Sequence, residues 1–122
     1  MASILLVEDN DQLRTLLKLL LTSSGYEVWE APNGTQVSAM YQQQHFDLVI
    51  TDLVMPDTEG LSVIMELRRL DKNVRIIAMS GGGQGSAESY LSMAQKLGAH
   101  LTLSKPFGNQ EFLDAVSSAL ES

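Results

Sequence analysis

Five polar side chains have the types and the order that phosphoryl chemistry requires. Glu8 and Asp9 follow a short apolar run, and Asp52 follows another run, forty-three residues after Asp9. Ser80 and Lys105 directly follow two further apolar runs. Carboxylates packed together repel one another unless a cation neutralises them, and Mg2+ accepts a few carboxylates while keeping several waters. These residues therefore predict a magnesium site with a hydroxyl and an ammonium beside it.

The same set of side chains suits a phosphoryl ligand. A magnesium ion held by a few carboxylates keeps coordination positions free for a phosphoryl oxygen. The Ser80 hydroxyl and the Lys105 ammonium can hold the remaining phosphoryl oxygens. Because phosphoryl transfer depends mainly on positioning and on charge neutralisation, the set predicts a phosphoryl-transfer site.

Each of these residues also has an ordinary explanation. Asp9 and the two residues after it suit the start of a helix, where Asp and Asn are preferred caps. Asp52 can be a turn former, Ser80 a loop residue and Lys105 a solvated surface lysine. The glycine run 81–83 fits neither a P-loop nor a dinucleotide-binding fingerprint. A single phosphoryl-transfer site is favoured, because otherwise suitable polar residues would have to follow four separate apolar runs, in the right order, by coincidence.

The apolar runs predict strands, and the segments between them have helical period. The predicted strands are Ile4–Val7, Glu27–Ala31, Leu48–Thr51, Val74–Met79 and Leu101–Ser104. Helical spacing in the first intervening segment predicts that its leucines lie in the core; these are Leu13, Leu16, Leu17 and Leu20. Five strand–helix repeats predict an α/β fold, a doubly wound parallel sheet with helices on both faces. Ligands bind such sheets at the carboxyl ends of the strands, where the five polar side chains lie.

Length and composition exclude several classes of protein. The 122 residues fit one domain, 1–122, and the chain has no cysteine, which excludes a disulfide scaffold and a cysteine nucleophile. No apolar run approaches the roughly 20 residues of a membrane span, and the N-terminus has no signal-peptide pattern. We therefore expect a cytoplasmic domain with no membrane interaction.

The charge is unevenly distributed along the chain. The first 61 residues hold 9 acidic and 2 basic residues, whereas the last 61 hold 6 of each, so the net charge of −7 lies in the N-terminal half. Binding to a nucleic-acid backbone requires a basic stripe, which this sequence does not supply. Direct nucleic-acid binding is therefore not expected.

The ordered motifs resemble those of a known family. Together they are similar to the receiver domain of two-component response regulators, the CheY-like family; they are Val7-Glu8-Asp9, Asp52, Met55-Pro56, Ser80 and Lys105-Pro106-Phe107. The resemblance covers nearly the whole chain. It implies a flavodoxin-like (βα)5 fold with strand order 2-1-3-4-5. It also implies a signalling domain that takes a phosphoryl group from a phosphohistidine and then changes its binding to partners.

The resemblance gives each metal-site residue a role. Asp52 matches the phosphoacceptor and is also a ligand of the Mg2+ cofactor. Asp9 matches the direct metal ligand, and Glu8 matches the residue that acts partly through water. Val54 would offer its backbone carbonyl to the metal. The chemistry implied is that of a phosphoacceptor regulator with only intrinsic autophosphorylation and autodephosphorylation, rather than that of an enzyme.

The phosphoryl-binding residues match the family, but two features depart from it. Ser80 matches the hydroxyl that binds the phosphoryl group, and Lys105 matches the lysine that pairs with it, before a bond to Pro106 that is usually cis. Thr102 stands where a switching receiver usually has an aromatic residue. The segment from Ser80 to Lys105 is a few residues longer than usual for the family, with the extra length in the glycine run Gly81–Gly85. We therefore expect phosphorylation to act by ordering this glycine segment more than by moving Thr102.

The resemblance also implies partners. The phosphoryl donor would be a sensor histidine kinase or a histidine phosphotransfer protein, and the output a protein target that binds the fourth helix, fifth strand and fifth helix. We expect a stand-alone regulator rather than a receiver cut from a longer chain. Two alternatives are a receiver-like module that binds partners without phosphorylation and a flavodoxin-like binder of nucleotide or flavin. The complete residue set disfavours the first, and the acidic loop at Glu8, which would repel phosphate, disfavours the second.

Overall fold

Strands and helices alternate along the chain. The computed structural model of the protein describes residues 1–53, 60–81 and 87–121. The strands are β1 (Ser3–Val7), β2 (Glu27–Ala31), β3 (Leu48–Asp52), β4 (Ile76–Ser80) and β5 (Leu101–Ser104). The helices are α1 (Asp11–Ser23), α2 (Val37–Gln43), α3 (Gly60–Leu70), α4 (Ala87–Lys96) and α5 (Asn109–Glu121), with a 3-10 turn at Gly34–Gln36 before α2.

The strands form one parallel sheet in the order β2-β1-β3-β4-β5, which confirms the predicted fold. Every residue of β3 and β4 is buried, as expected for strands that helices cover on both faces. The register pairs Val7 with Thr51 and Asp52 with Met79. It also pairs Ser80 with Ser104. The residues that end or follow these strands therefore lie at one edge of the sheet.

Alternating side chains of the sheet form two cores. From β1, Leu5 and Val7 pack in a cluster with residues of α2, α3 and α4, whereas Ile4 and Leu6 pack in a cluster with residues of α1 and α5. The period-two alternation follows from strand geometry. Helices thus pack on both faces of the sheet.

The buried stripe of α1 differs from the prediction. Leu17 and Leu21 are buried, but Leu16 is 41% exposed, so its assignment to the core is wrong. The helical period does not by itself fix the centre of the buried stripe. Here the stripe consists of the buried Leu17 and Leu21 and the half-buried Leu13 and Leu20, and its members after Leu13 follow that residue by four, seven and eight positions. Within the described residues, no helix is both long and apolar enough to cross a membrane.

The fourth strand begins later than predicted. Val74 lies in a turn, where its N–H donates to the Asp71 carbonyl at 3.3 Å and its own carbonyl accepts from Arg68 at 3.0 Å. The strand therefore starts at Ile76 and ends at Ser80. The strand also ends one residue later than predicted, which places Ser80 within the buried strand instead of the loop that follows it.

Candidate functional site

Three carboxylates meet at the carboxyl edge of the sheet. Glu8 and Asp9 follow β1, and Asp52 ends β3; one carboxylate oxygen from each lies within 4.8 Å of the other two. Glu8 and Asp52 are buried, at 0% and 4% exposure, whereas Asp9 is exposed. An all-oxygen, anionic donor set with one open side suits a hard divalent cation such as Mg2+. The acidic cluster of Glu8, Asp9 and Asp52 thus fits the predicted metal.

Lys105 connects two members of the acidic cluster. Its Nζ lies 2.7 Å from Glu8 Oε1 and 3.1 Å from Asp52 Oδ2. The backbone N–H of Lys105 donates to the Ser80 carbonyl at 2.8 Å, which fixes the start of the side chain. Gly81 lies against the aliphatic stem, since a Cβ there would be 3.4 Å from Lys105 Cδ. The interpretation of Lys105 as a solvated surface lysine is therefore wrong.

Burial and pairing oppose each other in the pKa values of this site. Burial raises the pKa of Glu8, the negative charge of Asp52 adds to that effect, and the hydrogen bond from Lys105 opposes it. Burial alone would lower the pKa of Lys105, but its hydrogen bond to Glu8 and the charge of Asp52 outweigh burial and raise this pKa. The ammonium therefore stays charged and lies between two carboxylates that would otherwise repel each other.

The Ser80 hydroxyl is buried at the end of β4. Ser80 is 0% exposed, and its Oγ has no hydrogen-bond partner among the described residues. It is the last residue of β4, one position beyond the residue that pairs with Asp52. A buried polar group without a partner is unfavourable by about 1–3 kcal/mol. This burial contradicts the interpretation of Ser80 as an ordinary loop residue and leaves a donor available to a ligand.

The turn after β1 both caps α1 and contributes Asp9 to the acidic cluster. Asn10 caps α1, because its side chain accepts from the Leu13 N–H at 2.9 Å. The Asn10 N–H donates to Glu8 Oε2 at 3.0 Å. The helix-cap interpretation therefore holds for Asn10, whereas Asp9 lies with the acidic cluster.

Two residues that support the site were not predicted from the sequence. A Cβ at Gly60 would clash with the Leu53 Cα, and the Gly60 N–H donates to the Leu53 carbonyl at 3.2 Å. Glycine therefore lets α3 start directly against the backbone that follows Asp52. Arg14 donates to the Glu8 carbonyl at 2.8 Å. Neither residue has a sequence signal of its own, because both contacts depend on how the loops fold.

The remaining predicted residues divide into described and undescribed positions. Val54, assigned a carbonyl ligand by the resemblance, and most of the glycine segment (82–85) lie outside the described residues. Thr102 lies half-buried on β5, opposite Ala78 of β4 in the strand register. The Lys105–Pro106 bond is cis, as the resemblance implied.

Comparison with known proteins identifies relatives along nearly the whole chain. The chain is 35% identical to chemotaxis protein CheY of Bacillus subtilis over 118 residues, covering 96% of each protein. It is 31% identical over 117 residues to sporulation initiation phosphotransferase F of the same organism, covering 96% of this chain and 92% of the relative. These similarities span all three carboxylates, Ser80 and Lys105.

Solved structures agree with the sequence relatives. A crystal structure of a response regulator receiver domain protein from Clostridium thermocellum superposes with a TM-score of 0.90 at 28% identity, covering 99% of this chain and 95% of that one. A family profile described as the response regulator receiver domain matches residues 4–117. With the sheet order and the acidic cluster at its carboxyl edge, these matches show that the chain belongs to the family of response regulator receiver domains, which are signalling regulators.

Proposed function

We propose that Asp52 is the phosphoacceptor of this receiver domain. The observation that carries the proposal is the position of Asp52, which ends a buried central strand, has the Lys105 ammonium at 3.1 Å and shares the acidic cluster with Glu8 and Asp9. Of the three carboxylates, Asp9 is exposed and Glu8 lies in the turn between β1 and α1, whereas Asp52 is buried at the end of β3, the middle strand of the sheet. Asp52 is thus the carboxylate that the site both buries and leaves at its centre.

The phosphoryl group would be transferred in a single displacement. An Asp52 carboxylate oxygen attacks the phosphorus of a phosphohistidine, a new P–O bond forms, and the P–N bond breaks. The leaving imidazole nitrogen takes up a proton. Hydrolysis later adds water at phosphorus, breaks the P–O bond to Asp52 and releases inorganic phosphate. In both steps the Ser80 hydroxyl and the Lys105 ammonium would hold phosphoryl oxygens, and the ammonium would offset part of their negative charge.

The other site residues would hold the phosphoryl group and the metal. The Ser80 hydroxyl, which lacks a partner among the described residues, would donate to one phosphoryl oxygen. Lys105 would exchange part of its contact with Asp52 for a charge-assisted hydrogen bond to another. Glu8, Asp9, Asp52 and the Val54 carbonyl would hold Mg2+. When bound, Mg2+ would offset the repulsion between the phosphoryl oxygens and the acidic cluster.

Intact mass spectrometry tests the assignment of Asp52. The protein is incubated with Mg2+ and a small phosphodonor such as phosphoramidate, and we expect the mass of one phosphoryl group to be added. Asp52→Asn should gain none, and chelation of Mg2+ should prevent the gain in the wild type. Asp114→Asn, an exposed aspartate on α5, is the matched control and should be phosphorylated normally. An adduct that persists in Asp52→Asn would contradict the proposal.

We further propose that a histidine kinase or histidine phosphotransfer protein supplies the phosphoryl group and that a protein target binds the face formed by α4, β5 and α5. Thr102 lies on β5 within this face, and threonine has no aromatic ring that could move between an exposed and a buried position. Phosphorylation should therefore act mainly through the Gly81–Gly85 segment and the start of α4. Hydrogen exchange with and without beryllofluoride and Mg2+ tests this: protection should increase over residues 80–90 more than around Thr102, and the reverse pattern would contradict it.

A further inference from the structure

Arg14 makes three polar contacts around the turn that carries Asp9. Its Nη1 donates to the Glu8 carbonyl at 2.8 Å, and its Nη2 donates to Asp11 Oδ1 at 2.7 Å. Its Nε lies 3.4 Å from Glu30 Oε1 on β2. The side chain is only 17% exposed, although it lies in the first turns of a surface helix. The guanidinium thus connects the end of β1, the start of α1 and the edge strand β2.

The contact with Glu8 is made to the backbone, which gives it a specific consequence. The Glu8 carbonyl belongs to the peptide unit that joins Glu8 to Asp9, so holding this carbonyl fixes the orientation of the backbone that carries Asp9. The Glu8 side chain is held separately by Lys105 and by the Asn10 N–H. The Asp9 carboxylate is exposed, and its place in the acidic cluster depends on this backbone.

We infer that Arg14 is a positioning residue for the metal site: its contact with the Glu8 carbonyl holds Asp9 where it can bind Mg2+. The inference rests on the proposed function of the acidic cluster. The inferred effect of Arg14 is to strengthen Mg2+ binding, whereas its positive charge alone would weaken that binding. A guanidinium near a cation site repels the cation, whereas a group that fixes the direction of a ligand strengthens metal binding.

These two effects have opposite signs, so they can be separated by experiment. If Arg14 acts only through its charge, Arg14→Met will bind Mg2+ more tightly than the wild type. If Arg14 acts by positioning, Arg14→Met will bind Mg2+ more weakly. Lys18 offers a matched control because it lies one turn farther along α1 and its Nζ pairs with the same Glu30, at 3.1 Å.

The measurement is calorimetric titration of the purified protein with MgCl2 and no phosphodonor. We expect the dissociation constant of Arg14→Met to rise on the order of tenfold. Lys18→Met should bind Mg2+ as tightly as the wild type or slightly more tightly. Arg14→Lys keeps the charge but lacks the planar fork of donors, so it should still bind several-fold more weakly than the wild type. Without metal, the amide protons of Asp9 and Asn10 should exchange faster in both Arg14 variants.

The outcomes separate this inference from the proposed function. Circular dichroism first establishes which Arg14 variants are folded, and the lysine variant provides the test if the methionine variant is not. Mg2+ affinity equal to or above that of the wild type in the folded Arg14 variants would overturn the positioning role and leave the metal site intact. A wild-type protein that does not bind Mg2+ would overturn the metal site and the inference together.

Discussion

The two ends of the parallel sheet differ in how fully their polar groups are paired. At the carboxyl end, Glu8, Asp52 and Ser80 are buried, two negative charges share one ammonium, and a hydroxyl lacks a partner among the described residues. At the amino end, the terminal nitrogens of Arg68 donate to backbone carbonyls. The Tyr41 hydroxyl there donates to Asp71 at 2.7 Å.

The difference indicates where the fold gives up stability for function. At the amino end, Arg68 joins three loop carbonyls, those of Lys72, Val74 and Gly98, and only its Nε lacks a partner within the described part of the chain. At the carboxyl end, burial raises the pKa of Glu8, which means that the fold disfavours the charge it holds there. We therefore expect mutations at the amino end to reduce stability and leave phosphorylation unchanged. Mutations of the carboxylates at the carboxyl end should instead impair phosphorylation and leave stability unchanged or higher.

The largest effect on stability is expected at Arg68. Arg68→Met removes three hydrogen bonds from a charged donor to loop carbonyls and should lower the free energy of unfolding by about 3 kcal/mol. Phosphorylation by a small donor should keep its rate under conditions where the variant is folded. Urea unfolding measures the first effect and intact mass the second.

Arg69 provides the control for this variant. Arg69 is the next residue of α3, its side chain is 67% exposed, and its contact is an ion pair with Glu66 at 2.6 Å. Such exposed pairs contribute little to stability, so Arg69→Met should unfold at nearly the wild-type urea concentration. Equal losses in the two variants would show that the contacts of Arg68 with the carbonyls have no special role.

The opposite sign is expected at Asp52. Asp52→Asn removes one of the two buried carboxylates of the site, and the Lys105 ammonium keeps its 2.7 Å contact with Glu8. Without Mg2+, the variant should be more stable than the wild type by about 1.5 kcal/mol, because it removes the repulsion between two buried carboxylates that share one ammonium. Urea unfolding in the presence of a chelator measures this. A clear loss of stability would mean that the carboxyl end is as well satisfied as the amino end.

A smaller effect with a defined pH dependence is expected at Tyr41. Tyr41→Phe removes the hydrogen bond to Asp71 and should lower stability by about 1 kcal/mol near neutral pH. This hydrogen bond holds the pKa of Asp71 below its ordinary value of 3.8, so its contribution is present above that pH and is lost as the pH falls through the lowered pKa. Burial and the same hydrogen bond raise the pKa of Tyr41 above 10.0, so the contribution is also lost as the pH rises through that raised value.

Unfolding of wild type and Tyr41→Phe across the pH range provides the check. The difference in the free energy of unfolding between the two proteins should be constant from about pH 5 to 9 and should shrink in acid. A difference that grows as the pH falls would show that the hydrogen bond does not favour the ionised form of Asp71.

The residues that gather at the candidate site could be predicted from the sequence, because parallel strands bring their carboxyl ends to one edge of the sheet. Glu8, Asp9, Asp52, Ser80 and Lys105 could all be placed there by this rule, although their roles stay proposals. Other features depend on geometry that periodicity does not contain. Arg68 and Gly98 are 30 residues apart, and their contact depends on two loops folding against each other. The exposure of Leu16 depends on which side of α1 packs against the rest of the domain, which the spacing within α1 does not report.

Chemical trapping of the phosphoryl group tests most directly whether Asp52 is the phosphoacceptor. The protein is phosphorylated with phosphoramidate and Mg2+ and reduced with borohydride, which converts an aspartyl phosphate to homoserine, and peptides are then sequenced by mass spectrometry. We predict homoserine at position 52, and at no other position, and its loss when Mg2+ is chelated before the phosphodonor is added. Homoserine at position 9 or 57, or a stable phosphate retained on Ser80 after reduction, would contradict the assignment.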